Sequence, residues 1–95
     1  MSKLRKSARG KECTVRIEHV CNWNNETVVL AHLNSAGMGM KEKDLFGARA
    51  CSDCHAWLDG GYSKTHTKQE RDLMHFEAMK RTQEQYIEEA LICLP

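Results

Sequence analysis

The sequence lacks several features that would place it quickly in a functional class. No stretch approaches the roughly 18 consecutive apolar residues that a membrane helix needs, so we expect no membrane partner. The N-terminus is basic but is followed by neither a long apolar stretch nor a small-residue cleavage site. This argues against a secretory signal and predicts a soluble, cytoplasmic protein. Internal repeats and low-complexity segments are also absent.

An excess of one charge is missing as well. The 95 residues carry 14 lysines and arginines against 13 acids, for a formal net charge of +1. The distribution is uneven, because a run of basic residues precedes the first acid, and such an arm suits electrostatic capture of a polyanion such as DNA. A solvated, disordered terminus has the same composition. The candidate phosphate contacts are Lys3, Arg5, Lys6, Arg9 and, outside the arm, Arg49.

The small size of the chain makes its cysteines informative. A domain of 95 residues buries only about two-thirds of its unfolded surface, so we expect additional stabilisation from disulfides or a metal. Thiols stay reduced in the cytosol, which favours the metal. Two separated pairs of thiols can complete one tetrahedral zinc site. The predicted ligands of this structural zinc are Cys13, Cys21, Cys51 and Cys54.

Other interpretations of the Cys51-x-x-Cys54 pair remain open. A thioredoxin-type redox pair would be accompanied by a βαβ pattern, which the sequence does not show. With His55, the pair also matches the c-type haem attachment sequence, although that attachment usually follows export. Ordinary buried thiols are a third interpretation. Cys93 is a further thiol with no visible partner.

Local patterns predict one α+β domain with an arm over residues 1–12, a core over 13–61 and a helical segment over 62–95. Val15 and Ile17 alternate with polar neighbours and predict a short strand, which would form a hairpin with the apolar strand at 27–31. A helical turn is predicted over 41–46, followed by a short helix that carries the Cys-x-x-Cys pair and stops at Gly60 and Gly61.

The C-terminal segment has the pattern of one long helix. Thr67 and Glu70 form a capping-box sequence, and no Gly or Pro follows until Pro95. An imperfect apolar stripe is interrupted by polar residues 81–85, and it could either cover the core or support a homodimer. The stripe consists of Leu73, Phe76, Met79, Ile87, Ala90 and Leu91.

Histidines supply the remaining candidates for chemistry. His32 follows the apolar strand and precedes a loop, where an imidazole can face a groove, although a single histidine in this position is commonly a packed residue. His55 and Asp59 are four residues apart on the predicted short helix, so they share a face and can either chelate an ion or bond to each other.

This arrangement resembles the HNH, or ββα-metal, endonucleases over residues 13–60, because a strand ending in histidine is followed by a loop and a Cys-x-x-Cys-His helix. A closer resemblance, over nearly the whole length, is to the YbcO-type nucleases of lambdoid prophages. It is carried by the first 13 residues, by Leu30-Ala31-His32-Leu33-Asn34 with Gly37-Met38-Gly39, and by Ala50-Cys51-Ser52-Asp53-Cys54-His55.

The resemblance implies a zinc-stapled ββα-metal domain that acts as a metal-dependent DNA endonuclease. His32 would be the general base for an attacking water, and Asn34 is the nearest candidate for the middle asparagine of the motif. His55 would bind Mg²⁺ or another divalent ion with Asp59 or a later residue, because Ala31 stands where HNH enzymes commonly carry a metal ligand. The alternative is a non-catalytic zinc module that binds DNA or a protein, and a haem-binding electron carrier is the third possibility.

Overall fold

Helices and one small sheet form an α+β domain, as the sequence predicts. The structure is a computed structural model that describes residues 3–33 and 43–93. Short 3-10 turns at Asn25–Thr27, Asp44–Phe46 and Gly61–Lys64 connect the main elements. These are helix α1 (Lys3–Ser7), strand β1 (Val29–His32), strand β2 (Gly47–Ala50), helix α2 (Ser52–Asp59) and helix α3 (Lys68–Glu88).

Strands β1 and β2 form an antiparallel hairpin in which Val29 lies opposite Ala50 and His32 lies opposite Gly47. The predicted pairing of 27–31 with an earlier strand is therefore wrong. Residues 13–21 form turns instead, and Arg16 has a φ of 51°, which an extended strand does not permit. Val15 and Ile17 are nevertheless buried, so their alternation reflects burial in a folded-back loop.

Gly47 permits the hairpin to close beside His32. A Cβ at this position would lie 3.0 Å from the Leu30 side chain and 3.2 Å from the Ala31 carbonyl oxygen. Such distances are shorter than ordinary van der Waals contact, so a larger residue would push the two strands apart.

The ends of helices α2 and α3 follow their sequence signals. The Cys51 sulfur accepts the amide hydrogen of Cys54 at the start of α2, and Gly60 caps its end. Thr67 and Glu70 form both bonds of a capping box at the start of α3. Among the residues that the structure describes, no helix is long and apolar enough to cross a membrane.

The predicted apolar stripe of α3 is only partly buried, because Met79 packs on the domain and three other members are exposed. Leu73 is 59% exposed, and Phe76 and Ile87 are also largely exposed. The residues that are buried recur at helical spacing and include polar side chains. They are His75, Ala78, Met79, Thr82 and Tyr86.

Polar side chains of α3 form hydrogen bonds with groups in other parts of the chain, chiefly backbone carbonyl oxygens. Arg81 donates to the Thr14 carbonyl oxygen at 2.6 and 3.0 Å, and Gln83 donates to that of Leu45 at 2.8 Å. The Thr82 hydroxyl lies 2.8 Å from the Thr14 hydroxyl. Buried backbone groups require such partners, and this explains why polar residues interrupt the apolar pattern of this helix.

The N-terminal arm is folded over part of its length. Helix α1 lies against β1, Ala8 behind it is 1% exposed, and the Gly10 amide donates to the Asn25 carbonyl oxygen at 3.2 Å. The basic side chains are consequently held in position along one side of the hairpin instead of lying on a free tail.

Candidate metal centre and histidine site

Four cysteines from the 13–21 loop and from the start of α2 come together beside the hairpin. The sulfur atoms of Cys13, Cys21, Cys51 and Cys54 all lie within 4.8 Å of one another, and those of Cys21 and Cys51 are 3.8 Å apart. Sulfurs bound to one tetrahedral zinc at about 2.3 Å are separated by about 3.8 Å, so the spacing fits this ion. Within residues 3–33 and 43–93, this is the only cluster of three or more potential metal ligands of the Cys, His, Asp and Glu type.

Backbone amides point at the sulfur atoms. Cys13 Sγ accepts from the amides of Arg16 at 3.5 Å and Cys51 at 3.3 Å. Cys51 Sγ accepts from the amides of Asn22 at 3.5 Å and Cys54 at 3.4 Å. Such donors stabilise a thiolate relative to a thiol, and the thiolate is the form that binds a metal.

The loops around the cluster adopt a backbone conformation that their residues disfavour. Arg16, His19 and Trp23 have φ values of 51°, 65° and 57°. Left-handed conformations of non-glycine residues cost on the order of 1 kcal/mol each. The bends at Arg16 and His19 lie between Cys13 and Cys21 and fold this loop back, so that both sulfurs reach the cluster.

The four thiols influence one another's ionisation. The Cys54 thiol donates to the Cys13 sulfur, which lowers the pKa of Cys13, and the same contact raises the pKa of Cys54. Burial raises the pKa of Cys21 to about 11. One thiolate thus suppresses the ionisation of its neighbours, and a bound divalent cation would allow all four to ionise.

The cluster uses both sulfurs of the Cys51-x-x-Cys54 pair. Because they face Cys13 and Cys21, the arrangement favours a metal site over an isolated redox pair or a haem attachment. Cys93 is exposed and is not part of the cluster.

His32 lies at the other end of the hairpin, beside Asp44. Its Nε2 atom is 2.5 Å from Asp44 Oδ1, and the side chains are 8% and 17% exposed. Arg5 from α1 forms a second contact with the same oxygen at 3.3 Å. Hydrogen bonding from His32, with a smaller contribution from Arg5, lowers the pKa of Asp44, so this carboxylate is ionised at neutral pH.

His75 binds the strand residue that precedes His32. Its Nε2 atom donates to the Ala31 carbonyl oxygen at 2.8 Å. Burial lowers the pKa of His75, so the buried ring remains neutral and can keep this bond. Ala31 itself is 3% exposed, so its side chain belongs to the core of the domain.

His55 and Asp59 lie one helical turn apart, as predicted. Their side chains are 3.8 Å apart at the nearest atoms and are 42% and 72% exposed. They do not belong to any larger group of metal ligands among the described residues. Asn34, the other expected catalytic residue, lies outside the described residues.

The basic residues of the arm line a groove between α1 and β1. Arg5, Lys6 and Arg9 form one side, and residues 28–30 form the other, around a volume of about 460 Å³. Lys3 belongs to the same short helix and is exposed.

Arg49 does not belong to this surface, which corrects its predicted role as a phosphate contact. Its side chain is fully buried, and both terminal nitrogens donate to Glu89 at 2.8 Å. Further bonds run to Gln85 at 2.8 Å and Ser7 at 3.1 Å. The guanidinium is therefore committed to fastening β2 to α3 and α1, and it is not available to DNA.

Sequence reasoning missed Asp44 and assigned its segment only to a helical turn. No spacing rule connects an aspartate to a histidine 12 residues earlier across a loop. The one available signal was charge, because Asp44 is an acid near the part of the chain that the basic arm was expected to contact.

Comparisons with known proteins agree over almost the whole chain. The family model described as "Putative nuclease YbcO" matches residues 2–90. "Putative nuclease YbcO" of Escherichia coli (strain K12) and "Putative nuclease ybcO" of Enterobacteria phage 82 are each 42% identical over 102 residues, covering 97% of this chain and 98% of the relative.

A solved structure is also similar. It is described as "Structure of a putative bacteriophage protein from Escherichia coli str. K-12 substr. MG1655" and superimposes with a TM-score of 0.76 at 40% identity. The match covers 93% of this chain and all of the other.

Proposed function

The chain belongs to the YbcO family, whose similar members carry the name "Putative nuclease", and from this premise we propose that it is a metal-dependent DNA endonuclease of the HNH type. The order β1–β2–α2 supports this proposal, because it is the ββα order of that class. His32 ends the first strand and His55 lies in the helix, at the positions that the motif requires. The position of His32 beside an ionised carboxylate is the observation that carries the proposal.

His32 acts as the general base. A catalytic imidazole must be held in one orientation and must keep one nitrogen free to accept a proton from water. Asp44 engages Nε2 of the ring, and His75 bonds the backbone carbonyl of the preceding residue, so both the ring and the strand that carries it are held.

His55 and Asp59 would hold the divalent ion. Both are exposed enough to leave room for water and a phosphate, and Mg²⁺ commonly keeps several such ligands while using one or two protein carboxylates. When bound, this ion would stabilise the negative charge that develops on the phosphate and on the departing oxygen. Ala31 cannot contribute a ligand, so we expect weak binding of the ion.

The zinc that fits the cysteine cluster has a structural role. Cys51 directly follows β2, and Cys54 lies in the first turn of α2. Bound zinc would tie both cysteines to the 13–21 loop, and it would thereby hold the hairpin that carries His32 against the helix that carries His55. This role adds folding energy and supplies no reactive group.

The groove beside α1 provides the contact with DNA. Its basic side chains suit phosphate oxygens, and such contacts position the duplex while carrying little sequence information. Arg5 is shared between the groove and Asp44, so the groove ends near His32. Lys6→Ala should lower the salt dependence of DNA binding by about one counterion.

The test is a nicking assay on supercoiled plasmid with Mg²⁺ or Mn²⁺. We expect the wild-type protein to nick and His32→Ala to lose at least about 100-fold in rate, a usual cost for removing a general base. His19→Asn is the matched control, because the His19 side chain is 89% accessible and asparagine tolerates the left-handed backbone of this position.

Two results would count against the proposal. Nicking that is equally fast in His32→Ala would remove His32 from the mechanism. Binding of DNA without cleavage under any divalent metal would identify the protein as a zinc-stabilised binding module.

A further inference from the structure

The described part of the molecule contains one acid that faces a candidate catalytic group and has no role yet. Asp44 lies in the 3-10 turn Asp44–Phe46, immediately before β2, and its carboxylate meets the imidazole of His32. We propose that Asp44 is the positioning residue for His32: it accepts the Nε2 hydrogen and leaves Nδ1 as the atom that takes the proton from water. This inference rests on the proposed nuclease function and assigns the reacting atom within it.

The tautomer follows from the chemistry of the pair. An ionised carboxylate is only an acceptor, so a neutral imidazole that bonds to it through Nε2 must carry its hydrogen on that nitrogen. The other ring nitrogen, Nδ1, then has a free lone pair. The lowered pKa of Asp44, caused first by His32 and also by Arg5, keeps the carboxylate in the form that this requires.

The turn that carries Asp44 is held by three separate bonds. The Leu33 amide donates to the Phe46 carbonyl oxygen at 2.9 Å, which ties the turn to the end of β1. The Phe46 amide closes the turn onto Lys43 at 2.8 Å, and Gln83 from α3 binds the Leu45 carbonyl oxygen at 2.8 Å. Asp44 is thus placed by a rigid support, as a positioning residue must be.

Arg5 adds a second contact to the same carboxylate oxygen. Its Nη2 atom lies 3.3 Å from the same Asp44 oxygen that faces His32. A cation there favours the ionised carboxylate and restrains its rotation. When the imidazole takes a proton, the carboxylate stabilises the resulting imidazolium, so the transfer produces a paired charge in this largely buried site.

The first measurement is the tautomer of His32 in the metal-loaded protein, by ¹⁵N NMR above neutral pH. We expect Nε2 to be protonated and Nδ1 unprotonated in the wild type, and a mixture of tautomers in Asp44→Ala. Glu77→Gln removes a charge from an exposed position on α3 and should leave the spectrum unchanged. A wild-type His32 with its hydrogen on Nδ1, or a spectrum that is the same in Asp44→Ala, overturns the assignment.

The second measurement is the rate of plasmid nicking. Asp44→Ala should lower kcat by about 100- to 1,000-fold with little change in KM, because orientation of the base matters mainly in the transition state. Asp44→Glu should recover part of the loss, since it restores a carboxylate. Equal rates in wild type and Asp44→Ala would overturn the positioning role while leaving the nuclease function intact.

The two proposals can fail separately. A wild-type protein that never nicks, but whose His32 shows the expected tautomer and loses it in Asp44→Ala, would refute the nuclease function and retain the pairing of Asp44 with His32. Circular dichroism of each variant separates these results from loss of the fold.

Discussion

The two ends of the β1–β2 hairpin are held by different kinds of interaction. At the end where Val29 pairs with Ala50, the residue that follows Ala50 is Cys51, which belongs to the cluster of four cysteines. Where His32 faces Gly47, unlike partners hold the strand: a carboxylate from Asp44 and an imidazole from His75.

This difference predicts that the cysteine end of the hairpin supports folding and that the histidine end supports the proposed chemistry. One ion bound by four sulfurs contributes a large free energy at a single point, whereas hydrogen bonds contribute about 1 kcal/mol each. The sulfur end can therefore supply most of the stability of a small domain. The imidazole end can then be built from weaker contacts that fix orientation, and we expect its mutations to change activity more than stability.

Loss of the sulfur end should have the largest effect. Cys51→Ser removes a buried ligand, and structural zinc sites contribute about 10–16 kcal/mol in small zinc-binding peptides, as much as the whole stability of a typical domain. We expect loss of bound metal and of cooperative thermal unfolding, measured by elemental analysis and circular dichroism.

Cys93→Ser is the control for that experiment, because Cys93 is exposed and outside the cluster. It should retain metal and melt as the wild type does. A Cys51→Ser protein that keeps one equivalent of metal and a cooperative transition would contradict the four-cysteine assignment.

The middle of the hairpin tests whether stability can be lost without loss of metal. Glu89→Ala leaves the buried guanidinium of Arg49 without its carboxylate partner, and breaking such a pair costs about 3 kcal/mol. We expect a lower urea midpoint with the metal content unchanged. Glu88→Ala removes an exposed neighbouring acid and should shift the free energy of unfolding by less than about 0.5 kcal/mol. Equal effects of the two substitutions would mean that Arg49 does not need its carboxylate partner.

The histidine end of the hairpin should contribute least to the free energy of unfolding, and this contribution should depend on pH. Burial lowers the pKa of His75, with smaller contributions from Arg71 and His55 in the same direction and opposing ones from Ala31 and Asp72. Below the ordinary histidine pKa of 6.5, the unfolded chain gains a proton that the folded chain does not. The stability contributed by His75 should therefore be present above this pH and decline below it.

The measurement is the difference in unfolding free energy between wild type and His75→Gln from pH 7.5 to 5.5. The difference should shrink as the pH falls, by at most about 1.4 kcal/mol per pH unit. Taking the difference removes the acid sensitivity of the metal site, which both proteins share. A constant difference for His75→Gln would mean that folding does not change the pKa of His75.

Sequence patterns correctly predicted the features that depend on hydrogen bonds between residues close in sequence. The capping box of Thr67 and the end of α2 at Gly60 are both confirmed, because each depends on residues within one turn. The grouping of the four cysteines was predicted from ligand chemistry, since two separated pairs of soft thiols form a complete ligand set for one zinc ion. The identity of the metal and the roles of His32, His55 and Asp59 stay predictions.

The errors concern partners that are distant in sequence. The alternation of Val15 and Ile17 indicated burial correctly but did not distinguish a strand from a bent loop. The stripe on α3 was right for Met79, which is buried, and wrong for Leu73 and Phe76, which are exposed. The buried side of the helix also carries polar side chains such as Arg81, which binds the Thr14 carbonyl oxygen. Arg49 was placed on the surface by its charge, and the carboxylate that buries it comes from the far end of α3.

By itself, the sequence determined the grouping of the four cysteines, the end of α2, the start of α3 and the family, because residue type and short spacing specify these. The tertiary structure alone decided which strand pairs with β1, which face of α3 is buried and which acid meets His32. Each of these depends on backbone and charged groups that form no hydrogen bond within their own element. Such groups need a partner elsewhere in the chain. Only the folded chain brings those groups together.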